Sequence, residues 1–144
     1  MIWRREYFSL LFAPILPAAS TILTSCAPGQ PAKPDLPQSI SPGWMLLSLN
    51  RAAAPPGIPT NSAPQCWKAH YAGQGSGHAS AEVWVCGYKE NAGAFDAVQR
   101  ARAEAQTVKF QVGSNLVMVK WNDVPKANVT ALVRSIQKAV QPSH

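Results

Sequence analysis

Hydrophobic and polar residues alternate in two stretches, 66–71 and 81–88, and this spacing predicts the two strands of a β-hairpin. When opposite positions are paired so that their numbers sum to 152, one face carries only apolar or small side chains and Tyr71. The pairs on that face are Trp67 with Val85, Ala69 with Val83, and Tyr71 with Ala81. A slip of one residue would mix the two faces, so the pattern predicts this register.

The other face of the same hairpin brings together three pairs with specific chemistry. They are Cys66 with Cys86, Lys68 with Trp84, and His70 with Glu82. These pairs predict a disulfide, a cation–π contact and an ion pair. A second interpretation is open at this point, because Cys66, Cys86 and His70 could instead be redox-active or metal-binding residues. The chain contains no Cys-x-x-Cys motif that would favour this alternative.

A second alternating stretch, 107–112, is followed by Gly113-Ser114 and by a return stretch over 115–121. A Gly-Ser pair between two such runs is typical of a two-residue hairpin turn. With Val112 opposite Asn115, the apolar residues of both strands share one face, with Phe110 opposite Val117 and Val108 opposite Val119.

Each predicted hairpin is followed by a stretch with helical spacing. The first helix is predicted over 92–106 with Asn91 as a candidate N-cap, and the second begins near Pro125. Apolar residues recur at helical intervals and are expected to face the core: Phe95, Val98, Ala101 and Ala105 in the first helix, and Val129, Leu132, Val133, Ile136 and Val140 in the second.

The order of these elements predicts an α+β domain over 65–141, with an antiparallel sheet built from two successive β-β-α units. We expect both helices to pack on one face and the other face to remain partly open. A short apolar segment and an irregular loop over 44–64 precede this domain, and the pattern does not decide whether 44–50 joins the sheet. The candidate binding surface combines residues of the open face with cations of the second helix: Lys68, Trp84, Met118, Lys120, Arg134 and Lys138.

Residues 1–25 have the layout of an export signal. Arg4 and Arg5 precede an uncharged stretch over 7–23, which is shorter than a membrane-spanning helix requires. The stretch ends in Leu23-Thr24-Ser25-Cys26, which resembles the lipobox of bacterial lipoproteins. The resemblance implies cleavage before Cys26, attachment of acyl chains such as palmitate to Cys26, and a periplasmic location on the outer membrane. An ordinary secretory signal, cleaved near residues 18–20, is the alternative.

Proline residues dominate the segment 26–43, where Pro28, Pro31, Pro34 and Pro37 recur at every third position. This period matches the three residues per turn of polyproline II, so the segment is predicted to be an extended spacer between membrane and domain.

Composition narrows the possible partners. The chain of 144 residues is 47% hydrophobic and 14% charged, which excludes a charged disordered chain and a multi-domain enzyme. The formal net charge is +6. For an exported protein without a recognition motif, this charge favours an anionic lipid or polysaccharide over nucleic acid as a partner.

Candidate chemistry is sparse, since the sequence indicates no catalytic set, metal site or cofactor. Short motifs, Ala94-Phe95-Asp96 and Thr107-Val108-Lys109-Phe110, resemble an exported bacterial family of unknown function over 80–140, which implies no activity. The sequence therefore predicts a lipid-anchored cell-envelope protein that binds or scaffolds an envelope protein. The alternatives are a thiol-redox or metal-dependent enzyme using Cys66, Cys86 and His70, and a basic module for anionic lipid or polysaccharide.

Overall fold

The computed structural model describes residues 32–58, 64–74 and 77–142. These residues form six β-strands and two α-helices. In chain order they are β1 (Ser39–Ile40), β2 (Trp44–Ala52), β3 (Gln65–Gly73), β4 (Ser80–Gly87), α1 (Asn91–Arg100), β5 (Thr107–Val112), β6 (Asn115–Asn122) and α2 (Lys126–Val140).

All six strands belong to one antiparallel sheet in the order β1-β2-β3-β4-β6-β5. The predicted register of the β3–β4 hairpin is confirmed, with Cys66 opposite Cys86 and Ala69 opposite Val83. The register of the β5–β6 hairpin is confirmed as well. Its two-residue turn uses Gly113 at φ 58°, a left-handed conformation that glycine adopts without a Cβ clash. The α+β class predicted from the sequence is therefore correct.

Helix α2 covers one face of the sheet. Its buried residues Val129, Leu132 and Ile136 were predicted from their spacing, and Leu132 and Ile136 are fully buried. Leu132 and Ile136 share a buried cluster with strand residues of the face that was predicted to be apolar: Ala69, Tyr71, Ala81, Val83, Val85, Val117 and Val119. This cluster is the larger of two hydrophobic cores in the described part of the chain.

The prediction that both helices share one face is wrong. Helix α1 contributes Ala94 and Ala97 to a second buried cluster, which includes Cys66, Cys86 and Leu116 on the opposite face. Successive residues of a strand point to opposite faces, so the two clusters lie on either side of the sheet. This second face was predicted to be mixed in polarity, and its apolar end is covered by α1 together with Ile58 of the loop after β2.

The apolar stripe of α1 also differs from the prediction. The helix ends at Arg100 rather than near 106, and Phe95 is 56% exposed although it was expected to face the core. Small residues, Ala94 and Ala97, face the sheet instead. Val98 and Ala101 pack against the same cluster as predicted, so the inward face of α1 is centred on Ala94 and Ala97 and excludes Phe95.

The folded domain begins earlier than the sequence suggested. Segment 44–50 lies within β2, which pairs with β3 and so joins the sheet. Leu36 and Ile40, which were assigned to the spacer, are buried in the larger core. The Tyr71 hydroxyl donates a hydrogen bond of 2.9 Å to the Pro37 carbonyl oxygen, which fastens this segment to β3. The predicted spacer therefore contains residues of the domain at its C-terminal end.

The export signal over 1–25, Cys26 and residues 27–31 lie outside the described residues, as does part of the loop within 44–64. The lipid anchor therefore stays a prediction from the sequence. Neither helix of the described ranges is long and apolar enough to cross a membrane.

Candidate functional site

The two predicted cysteines form a disulfide. Cys66 and Cys86 occupy directly opposite positions on β3 and β4, with their Cα atoms 4.1 Å apart. Both residues are buried in the cluster that contains Ile58 and the α1 residues Ala94 and Ala97. The bond closes the hairpin at its open end and adds a covalent link to the hydrogen bonds between the strands.

Polar residues of the same face gather around Glu82 on β4. The Lys68 Nζ lies 2.7 Å from a Glu82 carboxylate oxygen, and the His70 Nδ1 lies 3.7 Å from the same oxygen. The Lys68 Nζ also lies 4.6 Å from the centre of the Trp84 ring, as predicted. Lys68 is therefore the closest partner of Glu82, where the sequence had suggested His70. The side chains of Lys68, His70 and Glu82 are partly exposed, so they form a polar surface in contact with solvent.

The predicted binding surface does not come together as one patch. Trp84 and Met118 are only 6% and 4% exposed, because they are buried in the cluster to which α1 and Ile58 contribute. Lys68 and Lys120 remain accessible beside them, but Lys120 lies 3.8 Å from a Glu104 oxygen and Lys68 contacts Glu82. The remaining members of the set, Arg134 and Lys138, belong to α2 and thus lie on the other side of the sheet.

An open groove of about 510 Å³ lies between α2 and the strands β5 and β6. Its walls are almost entirely apolar, and polar groups occur only on the α2 side. The lining residues are Val108, Trp121, Val124, Lys126, Val129, Thr130, Val133 and Arg134. A concave, mostly apolar surface with a few polar groups is the usual form of a small-molecule site.

The groove exists because α2 lies toward the β1–β2 edge of the sheet and away from β5. The Trp44 Nε1 donates a hydrogen bond of 3.0 Å to the Asn128 carbonyl oxygen in the first turn of α2. The helix contacts β6 and the short strand β1, and β5 forms the far edge of the sheet. Val108 and Phe110 on β5 consequently remain only half-buried. The uncovered strip next to α2 is the floor of the groove.

Cations on α2 are not neutralised by the domain. The helix contains Lys126, Arg134 and Lys138 and no acidic residue. Across the three ranges that the structure covers, none of these cations forms an ion pair with another described residue. Lys126 and Arg134 line the groove, whereas Lys138 does not. The groove thus combines an apolar floor with two unpaired positive charges.

Two further surfaces are less suited to a ligand. A concavity of about 400 Å³ lies between residues 33–38 and β2, but much of its wall is polar. Met45 and Leu47 are exposed on β2, and Leu47 lines this polar concavity. No group of three His, Cys, Asp or Glu residues suitable for a metal occurs among the residues with described positions.

Sequence reasoning missed the groove, although it identified Val129, Val133 and Arg134 on the predicted second helix. The signal that could have revealed it is Trp121, an apolar residue just before the helix whose partner on the sheet was not assigned. Comparison with protein families, curated proteins and solved structures found no match for this chain. The chemistry of the groove and the N-terminal sequence therefore carry the functional argument.

Proposed function

We propose that this chain is a lipid-anchored cell-envelope protein whose domain acts as a binding module. The pattern Leu23-Thr24-Ser25-Cys26 after a basic N-terminus supports the anchor, and acylated Cys26 would hold the chain on the membrane. The location follows from the same resemblance and is the periplasmic side of the outer membrane. We also propose that β3–β4–α1 and β5–β6–α2 are two successive β-β-α units, which cover the two faces of one sheet.

The observation that carries the binding function is the groove beside α2. Apolar side chains that remain accessible in a concave surface mark binding sites more often than chance exposure. Val133 and Trp121 are half-buried there, although both pack against the larger core. A ligand that covered them would remove apolar area from water, and this burial would drive binding.

A thiol-redox enzyme is less well supported by the same geometry. Reactive cysteines have accessible sulfur atoms beside positive charges, which lower the thiol pKa. Cys66 and Cys86 are instead bonded to each other and are buried. His70, the proposed third member, lies four residue pairs farther along the strands and faces Glu82.

The experiment that tests this function uses the full chain in its own envelope membranes. Mass spectrometry of the extracted protein should give an N-terminus at Cys26 with acyl chains attached. A photo-crosslinking amino acid at Thr130, which is exposed on the groove wall, should give one defined adduct with a component identified by mass spectrometry. The same crosslinker at Ala131, which is partly exposed on α2 and does not line the groove, is the matched control.

Each half of the proposal has its own contrary outcome. If the extracted chain keeps residues 1–25 or lacks acyl groups, the proposed anchor is wrong. The crosslinks then still test the binding function. Equal crosslinking from Thr130 and Ala131, or none from either position, would overturn the groove as a binding site.

A further inference from the structure

The interior of the groove offers an unsuitable surface for a polypeptide. The Thr130 hydroxyl already donates a 3.0 Å hydrogen bond to the Lys126 carbonyl oxygen, and the other wall residues away from the rim are Val108, Trp121, Val124, Val129 and Val133. A buried peptide group without a hydrogen-bond partner is costly. A hydrocarbon chain has no such groups, so it fits these walls better than a peptide backbone does.

The rim of the groove favours a negative charge. Lys126 begins α2, where unpaired backbone N–H groups give the helix its positive end. No acidic residue lies in this first turn, and no side chain caps it. Asp123 lines the neighbouring cavity beside Trp44 and Pro125 rather than the groove. An anion beside Lys126 would therefore meet two sources of positive potential.

Charge also makes a second copy of the chain a poor occupant of the groove. A symmetric pairing across two grooves would bring together the Lys126 and Arg134 side chains of both copies. These cations have no neutralising partner among the described residues, so their repulsion would oppose the contact. The complementary partner is apolar along its length and negative at one end.

We infer that the groove binds a long-chain fatty carboxylate, with its hydrocarbon chain against Val129, Val133 and Trp121 and its carboxylate beside Lys126. This inference rests on the proposed binding function and names its ligand class. The volume of about 510 Å³ lies in the lower part of the range for ligand pockets, which suits one chain better than two. Lys126 and Arg134 are eight residues apart, about 12 Å along the helix. The Arg134 stem then covers the chain at the far end.

The test uses the full chain in isolated envelope membranes and two photoreactive probes. One probe is a diazirine-bearing hexadecanoate, and the other is the corresponding hexadecanol, which has the same chain without a charge. The carboxylate should label peptides from β5, β6 and α2, and added unlabelled palmitate should compete with it. Peptide mapping separates this labelling from any acyl group on Cys26.

Two pairs of variants separate the groove from the rest of α2. Thr130→Glu places a negative charge on the groove wall and should weaken carboxylate labelling by about tenfold. Ala131→Glu adds the same charge on a side of α2 that does not line the groove and should leave labelling by the carboxylate unchanged. Lys126→Ala should reduce labelling by the carboxylate about two- to fivefold while leaving the alcohol unaffected. Lys138→Ala should change neither.

The outcomes distinguish this inference from the proposed function. Equal labelling by both probes, or a carboxylate preference that survives Lys126→Ala, would overturn the fatty carboxylate. An identified protein captured from Thr130, with no competition by palmitate, would also overturn it but would retain the binding module. Labelling that Thr130→Glu leaves unchanged would place the lipid elsewhere and overturn the inference. Retention of the disulfide and of the melting temperature shows that each variant is folded.

Discussion

Removal of the Cys66–Cys86 disulfide is expected to destabilise the domain strongly. The two residues are separated by 20 positions, and cross-linking them restricts the unfolded chain. Loop-closure entropy for a loop of this length is about 11 cal/mol/K, which corresponds to about 3 kcal/mol at 25 °C. For a domain of this size, that loss should lower the melting temperature by roughly 12–24 °C.

The measurement is thermal unfolding, monitored by circular dichroism, of the full chain with the double substitution Cys66→Ala and Cys86→Ala. Wild-type protein in excess reductant is the matched control, because it keeps both sulfur atoms and loses only the bond. If chain entropy dominates, reduction and substitution should lower the melting temperature by similar amounts.

Two results would contradict a stabilisation by chain entropy, each for a different physical reason. A loss below about 1 kcal/mol on reduction would mean that the hairpin is already structured in the unfolded chain, so the bond restricts it little. A large loss on substitution with a small loss on reduction would mean that the packing of the two buried sulfur atoms stabilises the domain more than the link does.

Further predictions concern the core, one turn and pH. Leu132→Ala, at a fully buried position of α2, should cost about 2–5 kcal/mol in chemical denaturation. Tyr71→Phe should cost about 1 kcal/mol because it removes the hydrogen bond to Pro37. Tyr88→Phe should cost nothing or stabilise, since the buried Tyr88 hydroxyl has no partner within the described ranges. Gly113→Ala should cost about 1–2 kcal/mol because φ is 58°, whereas Gly113→Asn should cost less. Burial raises the pKa of Tyr71 from 10.0 to about 12, because the folded state disfavours the ionised side chain. The contribution of this group to the free energy of unfolding is therefore fully present below pH 10. A loss of about 3 kcal/mol in the free energy of unfolding is expected between pH 10 and about 12 in the wild type, and this loss should be absent in Tyr71→Phe.

The strand pairing was predictable because it rests on strict local rules. Side chains alternate across a strand, so the apolar positions of β3 and β4 permit only one register. That register alone placed Cys66 opposite Cys86 and Lys68 opposite Trp84, and the structure confirms both contacts. The inward face of α2 was predictable for the same reason, because three large apolar residues recur at helical spacing.

The side on which each helix packs could not be read from the same pattern. Alternation separates two faces without saying which helix covers which, and the face with Cys66, Trp84 and Met118 contains both apolar and charged residues. Helix α1 buries only small side chains, so its apolar stripe is weak and Phe95 gave a misleading signal. The contribution of Leu36 and Ile40 to the core is equally hidden, since isolated apolar residues in a proline-rich segment have no period.

The placement of the two helices determines where a ligand can reach the sheet. If both had packed on one face, as the sequence suggested, β5 and β6 would have been covered beside α2 and the opposite face would have been open. Instead, Trp84 and Met118 are buried in the cluster to which α1 and Ile58 contribute, while the hydrogen bond from Trp44 holds α2 away from the β5 edge. The accessible apolar strip therefore lies beside the one helix that carries cations and no acid. For a domain that its N-terminus would tether to a membrane, this combination favours an amphiphilic anion over a water-soluble ligand.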